Sequence, residues 1–137
     1  MVLMKTILLV EDEDMLRGLI RELLETHGYN VFEACNGQEA LQMISDSPPD
    51  LLLLDLGMPL LDGFGAISKI RDDPRWAALP VLAVTAYAMN GDRDKIMSSG
   101  FDGYISKPIN SVLLLDELTR LLKKTDGREV SESLARN

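Results

Sequence analysis

The chain has 137 residues, enough for one domain with a real core, and its 46% hydrophobic and 26% charged residues are the balance of an ordinary soluble globular protein. Fourteen basic residues against twenty-two acidic ones leave a net charge of −8, which argues against a nucleic-acid footprint built from clustered Lys and Arg. No apolar stretch approaches the ~20 residues of a membrane helix, no cleavable leader pattern precedes the first strand-like run, and the lone cysteine, Cys35, cannot form an internal disulfide, so a cytoplasmic protein with no membrane insertion is expected.

In chain order, Thr6–Val10 is a compact apolar run that suits a buried strand. Glu11, Asp12, Glu13 and Asp14 follow at once, and then Leu16, Leu19, Ile20, Leu23 and Leu24 form the stripe of an amphipathic helix closed by Gly28. The helix macrodipole accounts for Glu13 and Asp14 at the helix start. It leaves Glu11 and Asp12, at the end of the strand, without a structural reason. Asn30–Cys35 is a weaker, half-polar strand that belongs at a sheet edge, with Cys35 read as a small buried hydrophobe. Asn36 is placed to cap a second helix that turns Ala40, Leu41 and Ile44 inward. His27 falls in the last turn of the first helix, where a partial positive charge is welcome, and no chemistry is assigned to it.

Pro48 and Pro49 then stop the chain before four consecutive leucines, Leu51–Leu54, which read as a strand buried on both faces. The run ends on Asp55, followed by a turn marked by Gly57 and Pro59. Taken alone, Asp55 serves equally as a turn former or helix cap. A helix over 64–71 follows, then a loop in which Trp76 covers a helix end, and a fourth apolar strand, Val81–Val84, ending on Thr85. The helix expected over 91–99 carries little apolar surface beyond Ile96 and Met97, which marks it as loosely held. A short fifth strand, Phe101–Ser106, leads into Lys107 and Pro108, and Asn110 or Ser111 caps a last helix striped with Leu114, Leu115, Leu118, Leu121 and Leu122. A domain over residues 5–124 and a polar, disordered tail over 125–137 are expected.

Five strands alternating with five helices predict an α/β domain, a doubly wound five-stranded parallel sheet. The order 2-1-3-4-5 fits, since it leaves the half-polar second strand at an edge and centres the first and third. That order is matched to known doubly wound sheets rather than derived. Adjacent strands lie ~4.8 Å apart, so the order brings Glu11 and Asp12 to one side of Asp55 and Thr85 to the other. Lys107, on a strand roughly 10 Å from Asp55, reaches back on its flexible stem. Three crowded carboxylates call for a cation, and hard oxygen ligands without His or Cys favour Mg²⁺. With Thr85 and Lys107 available to phosphoryl oxygens, the set suits phosphoryl transfer with Asp55 as the nucleophile.

These residues resemble the receiver domains of two-component response regulators, chemotaxis-regulator-like and of single-domain type. The likeness spans about Thr6 to Lys124 and rests on Val-Glu-Asp at 10–12, Asp55, Met-Pro at 58–59, Asp-Gly at 62–63, Val-Thr-Ala at 84–86 and Lys-Pro at 107–108. The resemblance implies a flavodoxin-like receiver fold in which Asp55 accepts a phosphoryl group from a histidine kinase or histidine phosphotransfer protein. It also implies that Asp12, Asp55 and the backbone carbonyl of Gly57 ligate Mg²⁺ directly, Glu11 acts through water, and Tyr104 holds the position of an aromatic switch. The chain is then a phosphoacceptor that assists its own phosphorylation and dephosphorylation rather than a conventional enzyme. A monomer is expected, passing its signal to a downstream protein through the fourth helix, fifth strand and fifth helix. Glu11 stands where Asp is frequent, and Gly57 offers no side chain to shield the phosphoryl group, a task Tyr87 could take. A stand-alone regulator is the preferred reading, with a receiver cut from a hybrid kinase or multidomain regulator as the alternative. An Asp-nucleophile phosphatase is a more distant one, because Gly57 occupies the place of the second Asp it would need.

Overall fold

In the computed structural model of the chain, residues 4–58, 60–86 and 90–135 are described, the side chains of 90–91 and 124–135 excepted. Strands β1 (Thr6–Val10), β2 (Asn30–Ala34), β3 (Leu51–Asp55), β4 (Val81–Thr85) and β5 (Gly103–Ser106) alternate with helices α1 (Asp14–Thr26), α2 (Gly37–Asp46), α3 (Gly63–Asp72), α4 (Asn90–Ser98) and α5 (Ser111–Ala135), and a 3₁₀ turn spans Pro74–Trp76. All strand pairs are parallel, in the order β2-β1-β3-β4-β5. The fold class and order are those expected, with the half-polar β2 at an edge.

The period of two along the strands divides the core into two layers. Leu52 and Leu54 join Leu8, Val10, Val81 and Ala83 against α2, α3 and α4. Leu51 and Leu53 join Ile7, Leu9, Leu82 and Val84 against α1 and α5. All four leucines of β3 are fully buried, each contributing about 2 kcal/mol of transfer free energy. β3 is therefore the most constrained element, and the acid at its end inherits that rigidity.

Local chemistry sets the element ends. Asn36 Oδ1 accepts from the Glu39 N–H at 2.9 Å, and Asn110 Oδ1 from the Leu113 N–H at 3.1 Å, as the capping pattern predicts. Gly28 takes φ +88° after α1, where a side chain would be strained. Gly63 starts α3 so close to β3 that a Cβ would stand 2.7 Å from Leu56 Cα and 2.9 Å from the Asp55 carbonyl oxygen. Trp76 is half-buried against the α2–α3–α4 layer, with the Arg75 guanidinium 4.1 Å over its ring. At the far end of the sheet, Arg71 donates to the carbonyls of Gly100, Trp76, Ala77 and Leu79 and to Asp102 Oδ2, which also accepts from the Val81 N–H at 2.8 Å.

Three expectations are corrected. The tail expected to be disordered over 125–137 is helical as far as Ala135, because α5 continues. Extending a packed helix costs far less than starting one, and Lys, Arg and Glu sustain it. Cys35 is exposed rather than buried, since it lies one residue past the end of β2 and outside both core layers. Leu19, part of the expected apolar stripe of α1, remains 59% exposed, because the stripe is wider than the face that the sheet covers. α4 is held as lightly as its composition suggests: Ile96 is its buried residue among those described. No helix among the described residues is long and apolar enough to cross a membrane.

Candidate functional site

The strand order reverses between β1 and β3, and the crevice outside the carboxyl ends of these strands is where open α/β sheets bind ligands. β1 delivers Glu11 and Asp12 to that crevice, β3 delivers Asp55, and β4 delivers Thr85. Glu11, Asp55 and Thr85 are the buried polar or charged residues of the described chain, and Asp12 is exposed at the rim. Carboxylate oxygens of Glu11, Asp12 and Asp55 lie within 4.8 Å of one another. Lys107 closes the set from the end of β5, with Nζ 3.3 Å from Asp55 Oδ2 and 3.2 Å from Glu11 Oε1. Its own backbone N–H donates to the Thr85 carbonyl at 2.7 Å, so β4 aims both residues together. The Lys107–Pro108 peptide is cis. The Gly57 N–H donates to Asp55 Oδ1 at 3.2 Å, which puts the turn after β3 against the acceptor carboxylate.

The electrostatics describe a pocket short of positive charge. Burial drives the Glu11 carboxyl up to about 8, helped by its hydrogen bond to Asp55 and the charge of Asp55, with a smaller rise from Asp12; Lys107 opposes them. Burial alone would lower Lys107, and the charge of Asp55 together with the contacts to Glu11 more than offsets this, so the ammonium is raised. Lys107 sits at ion-pair distance from Glu11 Oε1 but off the hydrogen-bond direction, and that buried oxygen has no hydrogen-bond partner. An unsatisfied buried carboxylate oxygen among three acids fits a hard divalent cation such as Mg²⁺.

Beyond the pocket, Tyr104 is half-buried in β5, paired in register with Ala83, and the Arg93 guanidinium of α4 lies 5.9 Å from its ring centroid. A cavity of about 360 Å³ beside Thr85 is lined by Gly57, Asp62, Phe64, Asp92, Lys95 and Ile96. Gly57 itself is exposed, and a Cβ there would meet nothing within 4 Å. Tyr87, expected to shield the site, and Pro59 lie outside the described residues. Two polar contacts near the site were not expected from the sequence. Asp62 caps α3 through the Gly65 N–H at 2.8 Å, a role its Asp-Gly context could have suggested. Arg17 donates from Nη1 to the carbonyl of Glu11 at 2.8 Å, a contact for which six residues of separation give no warning.

Fold and site together define a flavodoxin-like α/β domain with an acidic cluster at its switch point. Residues 7–119 match the response regulator receiver domain, and the chain belongs to that family of two-component signalling proteins. It is similar to the polar-differentiation response regulator DivK of Brucella anthropi, with 40% identity over 106 residues that cover 77% of this chain and 86% of that protein. Among solved structures, it resembles a CheY-like response regulator receiver domain protein from Methanospirillum hungatei, at a TM-score of 0.84 and 27% identity over 92% of this chain and 99% of the other. It also resembles the receiver domain of a Pseudomonas aeruginosa sensor histidine kinase that has a magnesium ion coordinated in its active-site cleft. That similarity has a TM-score of 0.82 and 31% identity, covering 88% of this chain and 99% of the other.

Proposed function

We propose that the chain is a phosphorylation-dependent switch in which Asp55 accepts a phosphoryl group from the phosphohistidine of a histidine kinase or histidine phosphotransfer protein, with Mg²⁺ as cofactor. The observation that carries this reading is the buried Asp55 carboxylate at the end of β3, with Lys107 Nζ 3.3 Å from Oδ2 and 3.2 Å from the buried Glu11 Oε1, which has no hydrogen-bond partner. In the transfer, an Asp55 oxygen forms a bond to phosphorus as the donor's N–P bond breaks. The electron pair of that bond stays on the imidazole nitrogen, which takes up a proton. Lys107 neutralises charge on the transferring oxygens, and the Thr85 hydroxyl donates to one of them. Asp12, Asp55 and the carbonyl of Gly57 would hold Mg²⁺ directly and Glu11 through water, and the ion would supply further charge neutralisation. The chain thus assists its own phosphorylation and dephosphorylation and turns over no separate substrate.

The switch domain is assigned to residues 5–124, and it acts as a stand-alone, monomeric cytoplasmic regulator whose downstream protein binds α4, β5 and α5. The DivK similarity supports the single-domain role. A second reading, a receiver joined to a kinase, draws on the similarity to the Pseudomonas domain. The full reading frame of the gene distinguishes them. Phosphorylation is tested by intact mass after incubation with Mg²⁺ and acetyl phosphate. One hydroxylamine-labile phosphoryl group is expected on the native chain and none on a folded Asp55→Asn variant; equal labelling of that variant overturns the assignment.

A further inference from the structure

We infer that Arg17 is a positioning residue for the metal pocket, one that locks the peptide unit joining Glu11 to Asp12; the inference rests on the Mg²⁺ site proposed above. Arg17 lies one turn into α1, and its side chain is only 14% exposed. Its Nη1 donates to the Glu11 carbonyl at 2.8 Å, its Nη2 to Asp14 Oδ1 at 2.6 Å, and its Nε lies 3.6 Å from Glu33 Oε1 on β2. The guanidinium is therefore held on two sides by carboxylates and presents the remaining edge to one backbone oxygen. Its fork is planar and rigid, so fixing two arms fixes the third.

That backbone oxygen matters because of where it sits. The Glu11 carbonyl belongs to the same rigid peptide plane as the Asp12 N–H, so its direction sets ψ of Glu11 and φ of Asp12. Those two angles determine how the buried Glu11 side chain and the exposed Asp12 side chain converge on one point. The Glu11 N–H is already tied to the Ala34 carbonyl at 3.1 Å and the Glu13 N–H reaches Glu11 Oε2 at 3.5 Å, which leaves the Glu11–Asp12 peptide between these two contacts. Past the end of β1 no strand partner holds it, since the register with β3 ends at the Val10–Leu54 pair. Arg17 supplies the missing restraint. Without it, Asp12 would have to be ordered on each binding event, and a cation would bind more weakly to the same three acids.

The test uses the full chain and Mg²⁺ alone, with calorimetric titration as the primary readout. Arg17→Met keeps the apolar stem and removes the donors, and we expect it to weaken Mg²⁺ binding by about 10-fold. Phosphorylation by acetyl phosphate should then require more Mg²⁺ for half-maximal rate but reach a similar rate at saturation. Arg17→Lys, which retains one donor, should recover part of the affinity. Arg21→Met is the matched control: Arg21 is also on α1 and also pairs with Glu33, but binds only side chains, so Mg²⁺ affinity should stay within about twofold of the native chain. Amide exchange of the Asp12 N–H without metal should quicken in Arg17→Met alone. Native affinity in a folded Arg17→Met or Arg17→Lys chain, or equal weakening in Arg21→Met, overturns the inference. If the native chain binds no Mg²⁺, or Asp12→Ala binds it equally well, the site itself fails; if those controls behave and Arg17→Met is silent, only the role of Arg17 is lost.

Discussion

Asp12 and Glu11 are neighbours in sequence with opposite surroundings: one carboxylate is exposed at the rim, the other is buried with an oxygen that faces Lys107 but has no hydrogen-bond partner. A rim carboxylate can meet an arriving hydrated cation directly, so Asp12→Ala is predicted to weaken Mg²⁺ binding at least about 10-fold and to suppress phosphorylation. Glu11→Ala should weaken it less. Titration of both variants checks the order, and a larger loss from Glu11→Ala would reverse the roles. At this scale the acids and Thr85 were legible because they close apolar runs, which is a local pattern, and Lys107 because its flexible stem spans the gap from the end of the fifth strand. The contact of Arg17 with the Glu11 carbonyl was not, because a side chain reaching a backbone oxygen across a turn leaves no periodic trace in the residues around it. Exposure of Cys35 escaped for a related reason, since a strand end shifted by one residue decides it.

The elements differ in how tightly they are held. β3 is buried on both faces, so Leu53→Ala should cost about 2–5 kcal/mol, read as a lower denaturant midpoint with unchanged slope. Arg71 ties the end of α3 to the 3₁₀ turn and to the segment between α4 and β5 through four carbonyls and Asp102. Arg71→Ala should therefore cost about 3 kcal/mol, measured by the same unfolding curves, while acetyl phosphate still labels Asp55, because the clamp lies at the opposite end of the sheet. A midpoint within error of the native chain would show that water replaces those bonds. Strand and helix identities were legible from apolar periodicity and caps, as at Asn36 and Asn110. The extent of α5 was not, since polar residues with good helix propensity read equally as tail or as helix, and the packed start decides between them.

For the molecule as a whole, signalling requires that the phosphorylated and unphosphorylated forms bind a partner with different affinity. A phosphoryl group on Asp55 adds charge and acceptor oxygens beside Thr85 and Lys107, and Lys107 continues directly from the strand that carries Tyr104. Thr85 should move toward the phosphoryl group and the Tyr104 ring into the space behind it. With beryllofluoride standing in for the acyl phosphate, amide exchange should change across Asn90–Ser98 and Gly103–Ser106. Change confined to the loops around Asp55 would leave Tyr104 a packing residue. The clamp described at Arg71 has a mechanical consequence for this response. Nε of Arg71 holds the Gly100 carbonyl at 2.9 Å, just beyond the last turn of α4, and Asp102 is pinned beside it. The other end of α4 opens toward the cavity beside Thr85, and Ile96 is the only described buried anchor along the helix. A helix fixed at one end and loose at the other behaves as a lever with its fulcrum at Gly100. Its travel should grow steadily from Ser98 toward Asn90, so that a small displacement at Thr85 is delivered to a partner as a swing of the helix rather than as a uniform loosening.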